Sequence, residues 1–120
     1  MARIVGYASA ALAPEWFTIA PLEAIKLVLK KTGLSLGDID LFEINEAFSS
    51  VSLSINRELG LDPKLVNVNG GAVALGHPIG ATGSRLVTTL PYAMEARGVR
   101  RGLAGLCIGG GEALALVVER

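Results

Sequence analysis

Charge is scarce in this chain. Asp, Glu, Lys and Arg make up 18% of its 120 residues, against roughly 25% in an ordinary soluble domain, and 11 basic residues balance 11 acidic ones. A surface wetted mainly by charge is therefore excluded. With no basic run interleaved with aromatics, a nucleic-acid-binding face is not expected either. The chain has one cysteine, so no internal disulfide can form, which fits a reducing compartment and sets the expectation of a cytoplasmic protein. A clean membrane span is missing too. The uncharged stretch Leu65–Ser84 is broken by Asn67, Asn69, His77, Pro78 and several glycines, which would interrupt a lipid-facing helix. The apolar opening, Met1–Ala13, reads as a short strand rather than an export signal.

What the sequence has in abundance is apolar surface. Hydrophobic residues account for 51% and the mean hydropathy is +0.50, so the chain must fold. At this length one domain over residues 1–120 is expected, burying about two thirds of the surface its unfolded chain exposes. So apolar a chain must also hide a face against a partner.

Strand and helix patterns alternate regularly. Arg3–Leu12 reads as a strand. Pro21–Lys31 reads as a helix with Leu22, Ile25, Val28 and Leu29 on one face and Gly33 as its stop. Ser35–Asp38 is a short turn with a cap signal, and Ile39–Ile44 is a strand. Ala47–Leu59 is a second helix ended by Gly60. Val66–Val68 reads as a short strand, and a glycine-rich loop then leads to a third helix, Gly80–Arg97, closed by Gly98. Leu103–Ile108 and Ala113–Val118 are strands joined by a glycine hairpin. The order βαβαβαββ predicts an α/β fold. Its mixed, mostly parallel sheet carries helices on both faces and ends in an antiparallel edge. Pro91 inside the third helix is expected to kink or shorten it. That helix has Arg85 as its only formal charge between Gly80 and Met94, so a second layer is expected to cover it.

Three groups of residues can carry chemistry, each with a plainer reading beside it. Asn45-Glu46-Ala47-Phe48 stands where a strand hands over to a helix, the place where ligands bind in open α/β sheets; it equally makes an N-cap and a first-turn acid. His77, the only histidine, lies in Gly76-His77-Pro78, where a fixed ring nitrogen can serve as base or donor; a lone histidine is also commonly structural. Cys107, in Cys107-Ile108-Gly109-Gly110-Gly111, is either a small buried hydrophobe or a thiol beside glycine N–H groups able to receive an oxyanion. Gly71–Gly76 has phosphate-loop spacing, but His77 and Pro78 occupy the positions of Lys and Ser/Thr, so no phosphate loop is present.

Taken in order, Asn45-Glu46-Ala47-Phe48, Val66-Asn67-Val68-Asn69-Gly70-Gly71, Gly76-His77-Pro78 and Cys107-Ile108-Gly109 resemble the C-terminal half of the thiolases, and within them most the acetyl-CoA acetyltransferases. The resemblance spans essentially the whole chain. It implies catalytic roles for three residues. His77 would activate a nucleophilic cysteine and polarise a thioester carbonyl, and Asn45 would hold a water that completes this oxyanion hole. Cys107 would be the acid/base acting on the α-proton of an acetyl group. The Gly109 N–H would join a second oxyanion hole, and Ala47, Phe48 and Phe17 would line the acyl and pantetheine pocket. A coenzyme A thioester is the implied substrate, with no covalently bound cofactor and no metal. A lowered pKa is expected at Cys107 from the donors around it.

In thiolases the acyl-carrying cysteine comes from an N-terminal half, and this chain has a single cysteine. The expectation is therefore an incomplete active site, inactive alone, for Claisen condensation or thiolysis of 3-ketoacyl-CoA. The partner is either an N-terminal half or a second copy joined through the 80–97 helix. A slow Cys107/His77 thioester hydrolase and a non-catalytic acyl-CoA-binding or assembly module are the alternatives.

Overall fold

The computed structural model describes residues 1–120. Strand β1 spans Arg3–Ala11, helix α1 Ala20–Thr32, β2 Leu41–Ile44, α2 Ser49–Leu59, α3 Ala72–Leu75, α4 Thr82–Arg97, β3 Arg101–Ile108 and β4 Glu112–Glu119. The helix stops fall where expected: Gly33, Gly60 and Gly98 adopt left-handed conformations after α1, α2 and α4, which a residue without Cβ enters at no steric cost. Ser35 and Asp38 close a capping box over a 3₁₀ turn at Leu36–Asp38. Helix α4 continues through Pro91 to Arg97, so the proline does not shorten it. Leu90, Ala93 and Met94 around it are buried and hold the helix to the sheet.

The four strands lie in the order β1-β4-β3-β2. β2 and β3 are parallel, and β4 is antiparallel to both β1 and β3. Three strands therefore run the same way, and the fold is a mixed α/β sheet. One expectation is corrected: the antiparallel strand is not an edge but sits inside the sheet. The Gly109–Gly111 turn folds β4 back on β3, and β1 then pairs with β4's free side, where Leu12 N donates to Gly111 O (2.9 Å). A second correction concerns Val66–Val68. It forms a single parallel bridge, Phe42 to Val66, because Asn67 turns to φ 48° and ends the pairing.

Alternation along the strands sorts side chains between two cores. Leu103 and Cys107 of β3, Ala113, Ala115 and Val117 of β4, and Phe42 and Ile44 of β2 pack with Ile25, Val28, Val51 and Ile55 of α1 and α2. On the opposite face Leu41, Ala104 and Val118 pack with Leu86, Leu90, Ala93 and Met94 of α4. Helices thus cover both faces, but α4 covers only part of its own. Beside it Tyr7 of β1, Leu114 of β4 and Val87 of α4 stay exposed around an apolar groove of about 240 Å³.

Candidate functional site

Parallel β2 and β3 end at the same edge of the sheet, and Asn45 and Cys107 lie at those ends, with Gly109 just beyond. Asn45 follows β2 directly; its N–H donates to Gly105 O of β3 (2.9 Å), and its side chain is fully buried. The residues on either side are clamped. Asn67 accepts from Ile44 N and donates to Ile44 O, both at 2.8 Å, and also donates to Glu46 Oε1 at 3.0 Å. Glu46 Oε2 accepts from Val73 N (3.0 Å). Gly71 closes this knot, since a Cβ there would run into the Glu46 carboxylate. Glu46 is thus a bridge between two loops rather than a helix cap, and α2 starts at Ser49, two residues later than expected.

His77 is exposed in the loop before α4. Its Nδ1 lies 2.7 Å from Thr82 Oγ1, and that hydroxyl donates to Pro78 O (3.0 Å). With its proton committed, the Thr82 oxygen accepts from Nδ1–H, so Nε2 carries the free lone pair. Cys107 is the penultimate residue of β3 and is buried. Burial pushes its thiol up from the ordinary value, against a smaller opposing pull from its own backbone. The expected lowering is therefore corrected: desolvation of the thiolate outweighs the pull of its own backbone, and no neighbouring glycine N–H offsets it. Gly109 is exposed at the start of the hairpin turn.

The chain by itself does not join these groups. Asn45 points to the α4 face and Cys107 to the α1–α2 face, and no hydrogen bond links His77, Asn45 and Cys107. The Cys107/His77 hydrolase gains no support from this arrangement. Phe17 and Phe48, by contrast, do meet, ring edge to face with centroids 5.9 Å apart. Ala47 and Phe17 both pack against the α1–α2 core, and Phe48 is largely exposed.

Two charged residues that the motif reading left without a role stand beside Asn45. Strand alternation puts Glu43 on the face of Asn45, and Arg85 of α4 reaches over to donate from Nη2 to Asn45 Oδ1 (3.1 Å). Burial pushes the Glu43 carboxyl up to about 7, with the nearby Arg85 charge pulling it down and Glu46 pushing it up. An acid inside the apolar run Leu41-Phe42-Glu43-Ile44, and Arg85 as the only charge between Gly80 and Met94, were the signals available. No group of three or more His, Cys, Asp or Glu side chains is placed to hold a metal ion, and no helix is long and apolar enough to cross a membrane.

Comparison with known proteins agrees with this architecture. The family described as "Thiolase, C-terminal domain" matches residues 1–120. The acetyl-CoA acetyltransferase of Paracoccus denitrificans is 50% identical over 120 residues, all of this chain and 31% of the relative. The crystal structure of the Bacillus anthracis acetyl-CoA acetyltransferase superposes with a TM-score of 0.97 at 49% identity, covering 99% of this chain and 30% of that one. Human mitochondrial 3-ketoacyl-CoA thiolase gives 0.95 at 47% identity over 98% and 30%. The chain thus spans about three tenths of the length of these relatives. With the motifs in order, the fold superposed and the match running end to end, this chain belongs to the thiolase C-terminal domain family.

Proposed function

We propose that this chain supplies one side of a thiolase active site, acting on acyl-CoA thioesters together with an N-terminal thiolase half that carries the nucleophilic cysteine. The observation that carries the reading is the Pro78–Thr82–His77 hydrogen-bond chain, which leaves Nε2 free on an exposed ring. Such a nitrogen takes the proton of an incoming thiol, so that the thiolate adds to the thioester carbonyl. It then returns the proton to the departing coenzyme A. Asn45 contributes a donor to the oxyanion hole through a bound water, and the Gly109 N–H serves the second. Cys107, held as a thiol by burial, is in the state that donates a proton to the α-carbon during thiolysis. To act as the base in condensation it must first lose that proton, and no basic group of this chain hydrogen-bonds to it. Phe17, Ala47 and Phe48 give the acyl and pantetheine chain an apolar wall.

The N-terminal half is also the occupant of the uncovered face beside α4. In its absence a second copy of this chain takes that place. The sequence expectation put this contact on the 80–97 helix alone, and the exposed strand residues Tyr7 and Leu114 extend it onto the sheet.

The test is reconstitution. The chain alone should not cleave acetoacetyl-CoA in the presence of coenzyme A, whereas its mixture with an N-terminal thiolase half should, and His77→Ala should abolish that activity. Turnover by the chain alone at an enzyme-like rate, about 10 per second, would overturn the half-site reading. An inactive mixture that still binds acyl-CoA, with or without His77, would favour the binding module.

A further inference from the structure

We infer that Arg85 is a positioning residue for Asn45: it holds the carboxamide by its oxygen, so that the NH2 group is the one donor this side chain offers at the end of β2. The inference rests on the reading of Asn45 as a group facing the acyl substrate. The Asn45 backbone is already fixed, through Gly105 O on its own N–H and through the Asn67 and Glu46 clamps on either side. The amide orientation is what remains open. Guanidinium has five donors and no acceptor, so beside Arg85 the amide oxygen must face the cation, as the 3.1 Å contact has it.

The remaining polar atoms set this contact apart from a structural ion pair. Six side-chain N and O atoms in the molecule are inaccessible and without a hydrogen-bond partner, and five of them lie here: both Glu43 oxygens, Asn45 Nδ2, and Arg85 Nε and Nη1. Unpartnered buried polar atoms normally number only a few per hundred residues, and each forfeits the hydrogen bonds it would make to water. Arg85 and Glu43 face one another without forming a direct ion pair. The sequence therefore carries a polar cluster whose internal bonds are incomplete except for the one that orients Asn45. An Arg–Glu pair kept only for stability would close on itself.

The test reads the amide directly. In the 15N-labelled chain, Asn45 NH2 signals are identified by their loss in Asn45→Asp, and the Arg85 Nη protons should be resolved and slow to exchange. Arg85→Met should shift the Asn45 NH2 pair and speed its exchange about tenfold, the equivalent of one hydrogen bond, with the backbone amide spectrum retained. Arg85→Lys should restore part of the protection. Unchanged Asn45 signals in a folded Arg85→Met chain would overturn the inference. So would rapidly averaged Arg85 Nη protons in the unsubstituted chain, which decides the matter even if the variant does not fold. Neither readout involves catalysis. A chain that passes both and yet gives no acyl transfer with an N-terminal half would overturn the role of Asn45, not that of Arg85.

Discussion

Glu43 lies in the middle of a buried strand with neither carboxylate oxygen bonded, and that position gives the molecule a pH response. Its carboxyl titrates near 7 in the fold and near 4.5 when exposed to water. Across that window the folded chain holds one proton more than the unfolded chain, so stability falls as pH rises from 4.5 to 7. The loss should be roughly 3 kcal/mol or less. Urea midpoints at pH 5 and pH 8 should therefore differ, and the difference should shrink in Glu43→Gln; an equal difference in the variant would refute the assignment. Glu119 has the opposite sign. Hydrogen bonds from Arg101 and then Arg100 bring its carboxyl to about 2, so its contribution is present above pH 4.5 and fades as pH falls towards 2. Among the residues of the candidate site, Asn45, His77 and Cys107 are legible in the sequence because short motifs flank them. The roles of Thr82, Asn67, Glu43 and Arg85 are not, because their partners lie 5, 23, 21 or 40 positions away or, for Glu43, because the nearby charge of Arg85 stands on the helix packed over its strand. Only folding brings them together.

The elements themselves follow local rules closely. The apolar stripe of α1 is written at 3- and 4-residue spacing, glycines mark the ends of α1, α2 and α4, and the structure keeps both. Packing distance is not written locally. Gly102 of β3 lies so close under α4 that an added Cβ would sit 2.7 Å from Leu90 Cδ1 and from Met94 Sδ. Gly102→Ala should force the helix outward and cost about 1–3 kcal/mol, the range for overpacking. A thermal or urea unfolding curve indistinguishable from the parent's would show that α4 yields without strain. The same limit explains the two departures at element level. Two valines flanking one residue at Val66–Val68 look like a short strand, yet Asn67 between them spends its side chain on Ile44 and its backbone on a turn. The hairpin of β3 and β4 is plain from its glycines, but not that β1, about a hundred residues earlier, adds to its far side.

At the scale of the molecule the excess of apolar residues resolves into a place. Helix α4 shields the β2–β3 half of one sheet face and leaves the other half open, with Tyr7, Leu114, Val87 and Tyr92 exposed around and beside the groove. Exposed apolar patches of this kind mark interaction surfaces. The isolated chain should therefore self-associate at tens of micromolar. Replacing Tyr7 and Val87 with Lys and Asp should return it to a monomer, as read by light scattering; a strictly monomeric parent chain would count against the interface. The order of helices and strands, the glycine stops and the family motifs can all be read along the chain, because they depend on periodicity, composition and residues close in sequence. Which strand is interior, which half of the sheet stays bare, the high pKa of Cys107 and the grip of Arg85 on Asn45 depend on burial and on contacts between distant segments. Those come into being only when the two cores close on the sheet.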